Sequence, residues 1–202
     1  GDIAEVRLLK PPPLEKHLDI VISDGNGVFL KDSESIIAQA RPAGLDLDVP
    51  SPPSFGQALL ASKNYVCAED HFFPTCFVCG PSRGMKDGLR IFPGKVADRE
   101  MVASAWVPDD TLADGTNCVK PEFIWASLDC PGAFAVLGET IKPVVLGSLT
   151  AEILKRPTLG QRCIAVGWEI SRQGRKRFAG TALVSDSGDI LARARAIWIE
   201  IG

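Results

Sequence analysis

Apolar and polar residues alternate over long stretches near both ends of the chain, and this pattern predicts antiparallel β-strands. In the C-terminal part, Leu149, Ala151 and Ile153 alternate with Thr150 and Glu152. Further segments rich in Val, Ile and Ala follow at hairpin spacing: residues 163–170, 178–185 and 190–201. Near the N-terminus the pattern is shorter and covers residues 18–23, 28–30 and 36–41. We therefore predict a short antiparallel meander at the start of the chain and a longer one at its end.

The two meanders share a sequence signature that indicates an internal duplication. Residues 6–14 align with residues 151–159, and residues 36–41 align with residues 190–195. The first pair shares leucine, lysine, proline and leucine in the same order, and the second pair shares an isoleucine and the series Ala-x-Ala-Arg. Ordered agreement at both ends favours a duplication over chance similarity between two strand patterns.

The region between the meanders begins with a proline-rich link. Residues 49–53 contain three prolines, which exclude a continuing helix or a central strand. Ser54 then caps a short helix predicted over residues 55–65. Two strands are predicted after it, over residues 88–92 and 101–107.

One long helix is predicted over residues 122–139. Its apolar residues point to nearly all sides, so we expect it to be buried: Phe123, Ile124, Leu128, Phe134, Val136 and Leu137. Pro131 and Gly132 fall inside it. Because proline removes a backbone donor and clashes with the preceding turn, we expect a kink or a break just after Asp129.

Composition and charge exclude several classes of partner. The chain has 202 residues, 46% of them hydrophobic, and a net charge of −3, which is typical of a globular protein. No block of lysine and arginine is present, so nucleic acid is not an expected partner. The longest apolar runs are far too short to span a membrane, and no membrane association is expected.

Six cysteines and two histidines limit the metal and redox chemistry that the chain can support. The cysteines are irregularly spaced in a domain that needs no disulfides, so we expect reduced thiols and a cytoplasmic protein. Cys67, His71, Cys76 and Cys79 are possible zinc ligands, but only one Cys-x-x-Cys pair is present. Structural zinc sites usually show two close pairs, so we expect no metal, no disulfide and no cofactor.

Four segments resemble, in the right order, the hotdog acyl-CoA thioesterases of the phenylacetate-pathway type. They are residues 76–92, which contain Cys-Phe-Val-Cys-Gly and Asp-Gly-Leu-Arg-Ile-Phe, residues 122–129, Glu-Phe-Ile-Trp-Ala-Ser-Leu-Asp, residues 149–159, and residues 192–196, Ala-Arg-Ala-Arg-Ala. The resemblance implies an α+β hotdog fold, in which an antiparallel sheet wraps around one long buried helix. It also implies that the ligand is an acyl-CoA or a similar thioester, with a small or medium acyl group.

The resemblance gives the duplication a structural meaning. Residues 1–50 are predicted to form a partial hotdog repeat of antiparallel strands without the central helix. Residues 51–75 are predicted to form a linker with a short helix, and residues 76–202 a complete hotdog domain. Hotdog units pair edge to edge, and sheet edges left open need cover from another chain. We therefore expect a homo-oligomer, at least a dimer.

The resemblance also implies a set of site residues. Asp129 aligns with the family carboxylate, which acts as a nucleophile or activates water. The backbone N–H groups of Glu122 and Phe123 are the expected oxyanion donors, because Lys120-Pro121-Glu122 stands where the family has His-Gly-Gly and proline has no N–H. The residues implied in substrate binding are Lys120, Trp125, Cys130 and Gly132.

Other functions remain open on the sequence alone. Asp129 is either the catalytic carboxylate or a cap for backbone donors freed by Pro131. The Lys120-Pro121-Glu122 segment favours a non-catalytic hotdog protein that binds an acyl thioester or an apolar ligand, whereas Asp129 favours hydrolysis. A purely structural pairing module is a third class. A dehydratase is disfavoured, since no histidine follows His71 in the sequence.

Overall fold

The computed structural model describes residues 2–23, 25, 27–66, 69–137 and 142–201. Within these residues the strands are β1 (Ile3–Leu8), β2 (Asp19–Ile22), β3 (Val28–Asp32), β4 (Ser35–Pro42), β5 (Gly94–Lys95), β6 (Val102–Trp106), β7 (Val144–Ile153), β8 (Cys163–Gln173), β9 (Lys176–Ser185) and β10 (Ile190–Glu200). The helices are α1 (Phe55–Lys63), α2 (Pro121–Ser127) and α3 (Cys130–Val136). None of the helices in this part of the chain is long and apolar enough to cross a membrane.

All the strands lie in one antiparallel sheet, in the order β2-β3-β4-β1-β7-β10-β9-β8-β6-β5. The two predicted meanders are both present, and β1 joins them because it pairs with β4 on one side and with β7 on the other. The expectation of a large antiparallel sheet with few helices is confirmed. The predicted division of the chain at residues 50 and 75 stays a prediction.

When the two meanders are aligned by sequence, equivalent residues are paired across the strands within each of them. The matching pairs are Val6–Ala40 with Ala151–Ala194, and Leu8–Ala38 with Ile153–Ala192. The two meanders also share a register shift at aligned positions, where the bulged residue is Ile37 in the first and Leu191 in the second. The carbonyl of Ile37 accepts from the successive N–H groups of Leu9 and Lys10, and the carbonyl of Leu191 accepts from those of Leu154 and Lys155.

The helices cover the two faces of the C-terminal half of the sheet. Because side chains alternate along a strand, β8 sends Cys163 and Ala165 to one face and Ile164 and Val166 to the other. The first face packs against α2 and α3, and the second packs against α1. Helix α1 has the predicted cap, since Ser54 accepts from the N–H of Gln57 and the Gln57 side chain accepts from the N–H of Ser54.

The predicted single long helix over residues 122–139 is not found as one element. Two helices of seven residues each take its place, and the break falls at Leu128 and Asp129. Pro131 explains the break, because its ring would collide with the carbonyl one turn earlier and it has no N–H to donate. The predicted end of the helix lies outside the described residues, which stop at Leu137 and resume at Lys142.

The prediction of a strand over residues 88–92 is wrong. Gly88 and Arg90 have positive φ angles of 130° and 53°, so the backbone turns instead of staying extended. The segment still bonds to the preceding turn, since the N–H groups of Leu89 and Ile91 donate to the carbonyls of Phe77 and Val78. The short strand β5 pairs with β6 in its place.

Candidate active site

A cavity of about 1160 Å³ opens between the N-terminal meander and α3. Its wall is mostly apolar and comes from four parts of the chain: Leu8, Leu30 and Ile37 of the N-terminal strands, Tyr65, Phe72 and Phe73 of the loop after α1, Ala133 and Phe134 of α3 with Leu137 just after it, and Val144, Val145 and Leu146 of β7. Ionisable side chains also reach the wall, among them Lys10, Lys95 and Asp129. The volume exceeds the range of about 300–1,000 Å³ that is usual for small-molecule sites, so the cavity accommodates a ligand with a long apolar part.

Asp129 stands at the break between α2 and α3 and lines this cavity. Its Oδ1 is sealed from solvent and has no hydrogen-bond partner among the described residues. Burial, with a smaller contribution from the thiolate of Cys76, raises the pKa of Asp129 to about 7. A carboxyl group whose pKa lies near neutrality is able both to accept a proton and to return it.

The indole of Trp198 lines the same cavity as Asp129. Trp198 is buried on β10, and its Nε1 is likewise sealed from solvent and without an acceptor among the described residues. A Cβ atom on Gly132 would come within 2.9 Å of this nitrogen, so the glycine lets the indole lie against the first turn of α3. Among the described residues, a donor and an acceptor without partners therefore belong to two residues that line one cavity. Each such group costs about 1–3 kcal/mol when buried, so both call for an explanation, and a role at a functional site is one.

The structure brings some of the predicted site residues together and leaves others apart. Asp129 and Cys130 line the cavity, and Gly132 contacts Trp198 from α3. Four others lie along α2 and are not among the described residues of the cavity wall: Lys120, Glu122, Phe123 and Trp125. The side chains of Phe123 and Trp125 pack against the hydrophobic core.

The hydrogen bonds at the start of α2 limit which backbone N–H groups there could act as oxyanion donors. The N–H of Phe123 donates to the carbonyl of Lys120 at 3.1 Å, so it is already engaged within the first turn. The side chain of Glu122 is exposed to solvent. The roles predicted for Glu122 and Phe123 stay predictions, and Trp198 is a donor on the cavity wall that the sequence did not single out.

Three cysteine sulfurs meet beside Asp129. The Sγ atoms of Cys76 and Cys130 are 3.7 Å apart, and those of Cys76, Cys79 and Cys130 all lie within 4.8 Å of one another. Hydrogen bonds from the thiols of Cys130 and Cys79, and from the backbone N–H groups of Cys79 and Val78, lower the pKa of Cys76 well below its ordinary value. The hydrogen bond with Cys76 and burial raise the pKa of Cys130. Cys67, the other cysteine weighed as a zinc ligand, lies outside the described residues.

His71 is connected to this cluster by a chain of hydrogen bonds. The backbone N–H of Phe73 donates to Nδ1 of His71 at 2.9 Å, so the neutral ring carries its proton on Nε2. Nε2 lies 2.7 Å from the hydroxyl oxygen of Tyr65, and Tyr65 donates in turn to the carbonyl of Cys79 at 2.9 Å. Burial lowers the pKa of His71, which keeps the ring in this neutral form.

Solved structures share this architecture at low sequence identity. The tesB protein of Mycobacterium avium subs paratuberculosis matches with a TM-score of 0.60 and 11% identity, over 100% of this chain and 78% of that chain. A thioesterase superfamily protein matches with a TM-score of 0.55 and 14% identity, over 63% of this chain and 61% of that chain, which is less than two thirds of its length. No protein-family model matches the sequence, and no curated protein does. At these identities the similarity concerns the fold, and this chain has the hotdog fold of thioesterase-superfamily structures.

Proposed function

We propose that this protein hydrolyses an acyl thioester, with Asp129 as the catalytic carboxylate. The observation that carries the proposal is the position of Asp129, a half-buried residue that lines a large apolar cavity and whose Oδ1 is sealed from solvent and has no hydrogen-bond partner among the described residues. Burying a carboxylate without partners is costly, so such a group is typical of a functional site. The hotdog fold supports the same reaction class, since the matched structures are thioesterase-superfamily proteins.

In the proposed reaction, Asp129 accepts a proton from a water molecule as the water oxygen attacks the thioester carbonyl carbon. The C–S bond then breaks, and the thiolate leaves with the electron pair. Asp129 returns its proton to that thiolate, and the products are a carboxylic acid and a thiol. Direct attack by the carboxylate, through an acyl-enzyme anhydride that water hydrolyses, is the variant of this scheme that the resemblance also allows.

We assign the N–H of Trp198 as the donor to the carbonyl oxygen of the substrate. Pro121 has no N–H, and the N–H of Phe123 is bonded to Lys120, so the start of α2 offers fewer donors than the family segment does. Nε1 of Trp198 is a donor without an acceptor among the described residues, and Trp198 lines the same cavity as Asp129. A donor that is shielded from water stabilises developing negative charge more strongly than one in water.

The proposed substrate is an acyl-CoA with a medium or longer acyl chain. The apolar wall formed by Leu8, Leu30 and Ile37 suits an acyl chain. Lys10 and Lys95 also line the cavity and are exposed, which suits the phosphates of coenzyme A. We place the protein in the cytoplasm, because the described cysteines, including the close cluster, are free thiols.

We further propose that residues 1–50 are a partial hotdog repeat that completes the cavity. In the alignment Glu5 corresponds to Thr150, and these two residues face each other at the centre of the β1–β7 pairing, as a twofold relation between repeats requires. In the C-terminal unit, Ile153 and Leu191 pack toward the buried helices. Their counterparts Leu8 and Ile37 instead line the cavity, so the acyl chain takes the place of a helix.

The assembly is proposed to be at least a dimer. Strand β2 is the outer strand of the sheet, and its Ile20 and Ile22 are 71% and 75% exposed. An apolar outer strand is a template for pairing with another chain. Light scattering at micromolar concentration tests this, and a monomer mass would contradict it.

The second candidate function is binding of an acyl thioester without hydrolysis. Lys120-Pro121-Glu122, in place of the family His-Gly-Gly, favours it. The test is a screen of acyl-CoA thioesters of increasing chain length, measured by the release of free thiol, with calorimetric titration of the same compounds. Turnover supports the enzyme, and saturable binding with no thiol release supports the second candidate.

A further inference from the structure

We infer that Cys76, Cys79 and Cys130 bind one zinc ion, with a water molecule in the fourth position. The inference does not depend on thioester hydrolysis, because the metal content of the protein can be measured directly. It replaces the expectation, drawn from sequence spacing, that these cysteines bind no metal.

The distances between the sulfur atoms suit zinc. Sulfurs that lie about 2.3 Å from a tetrahedral zinc ion are about 3.8 Å from one another. The sulfurs of Cys76 and Cys130 are already 3.7 Å apart, and no pair in the cluster exceeds 4.8 Å. Closing the widest separation therefore takes a shift of at most about 1 Å.

The turn that carries the first two ligands has a defined backbone shape. The N–H of Gly80 donates to the carbonyl of Cys76 at 2.8 Å. A Cβ atom at Gly80 would lie 2.5 Å from the backbone of Cys76, so only glycine fits there. Two ligands from a Cys-x-x-Cys turn are a recurrent feature of zinc sites.

The third ligand comes from a distant part of the chain. Cys130 begins α3 and is buried, and it is 54 residues away from Cys76 in sequence. A zinc ion in this position joins the turn at 76–80 to the helix that follows Asp129. The ion therefore fixes the segment that positions the catalytic carboxylate.

The fourth position is assigned to water because His71 is committed elsewhere. Its Nε2 lies 3.5 Å from the Cys79 sulfur, but this nitrogen carries the proton that is directed at Tyr65. All three cysteines line the cavity, so the remaining position faces the space where a water molecule or a ligand atom fits. Three protein ligands and an exchangeable fourth one are typical of open zinc sites.

The test is the metal content of the protein purified under reducing conditions without chelator, measured by inductively coupled plasma mass spectrometry. We expect about one zinc per chain in the wild type and its loss in Cys76→Ser and Cys130→Ser. Cys118→Ser is the matched control, since it removes a half-buried thiol outside the cluster and retains the zinc. A wild-type protein that contains no zinc and takes up none, or a Cys130→Ser variant that keeps it, overturns the inference.

A serine variant that fails to fold also loses zinc, so a second measurement uses the wild type alone. The reduced, metal-free protein is titrated with Co²⁺, and we expect thiolate-to-cobalt charge-transfer absorption that saturates at about one equivalent and disappears on addition of Zn²⁺. A folded protein without this absorption, or with a disulfide between Cys76 and Cys130, overturns the inference. His71→Asn is expected to keep its zinc, and loss of zinc from this variant in folded form overturns the assignment of water to the fourth position.

Discussion

The hydroxyl group of Thr181 donates a hydrogen bond of 2.8 Å to the backbone carbonyl of Leu128, at the point where the buried helix is broken. In an unbroken helix this carbonyl would accept from the N–H of Gly132. That N–H donates instead to the carbonyl of Asp129 at 3.0 Å, so the sheet supplies the partner that the helix no longer does. Thr181 is fully buried on β9. The break that places Asp129 in the cavity wall is therefore held by a residue 53 positions away in sequence.

This relationship predicts the effect of Thr181→Val. The variant keeps the shape of the side chain but leaves a buried carbonyl without a donor, which costs about 1–3 kcal/mol in the free energy of unfolding. Urea denaturation measures that free energy. Thr158→Val removes an exposed threonine hydroxyl and serves as the control, with an expected loss below about 0.5 kcal/mol. Equal losses in the two variants would show that the bond from Thr181 does not hold the break.

The assignment of Trp198 as a donor predicts a loss of rate without a loss of binding. Trp198→Phe removes the indole N–H and keeps an aromatic ring against Gly132. We expect kcat to fall by about 10²–10³-fold with little change in KM, because the donor acts on charge that develops in the transition state. Trp168→Phe is the control, since Trp168 is also buried but belongs to the cluster on the opposite face of the sheet. An equal fall in both variants would mean that the indole of Trp198 acts only through packing.

The assignment of Lys95 to the phosphates of coenzyme A predicts a substrate-dependent effect. Lys95→Ala should raise KM for acyl-CoA by about two- to fivefold, the size expected of one exposed ionic contact. It should leave KM unchanged for an acyl thioester that lacks phosphate, such as an acyl-N-acetylcysteamine. Lys63→Ala, on α1 and outside the cavity wall, is the matched control. A change of the same size with both substrates would remove Lys95 from phosphate binding.

The strands follow from the sequence more directly than the site does. Apolar segments rich in Val, Ile and Ala locate β6, β8, β9 and β10 to within a few residues. The same rule fails at residues 88–92, where apolar residues are suitable for a strand but Arg90 has a positive φ angle. Nothing in the residue types there reveals that conformation, which bonds to the preceding turn stabilise.

Some residues of the site can be recognised from the local sequence, whereas others are recognised only from contacts between distant parts of the chain. Asp129 stands out in the sequence because it is a carboxylate flanked by Leu128 and Cys130 in the middle of an apolar stretch. The thiol cluster does not, since spacing reveals the pair in the turn at 76–80 but not its approach to Cys130. Trp198 is likewise one of four tryptophans in the sequence, and only its unpaired nitrogen near Gly132 distinguishes it from a core residue.

The most direct test of the account is the rate of acyl-CoA hydrolysis by Asp129→Asn, measured beside its melting temperature. The amide keeps the shape of the side chain but cannot accept the proton of the attacking water, so we expect kcat to fall by at least about 10²-fold. The melting temperature should stay near that of the wild type, because Oδ1 of the carboxyl group makes no hydrogen bond to the described residues that the amide would break. Full activity in a folded Asp129→Asn protein, or a large loss of stability with unchanged turnover, would contradict the proposed role of Asp129.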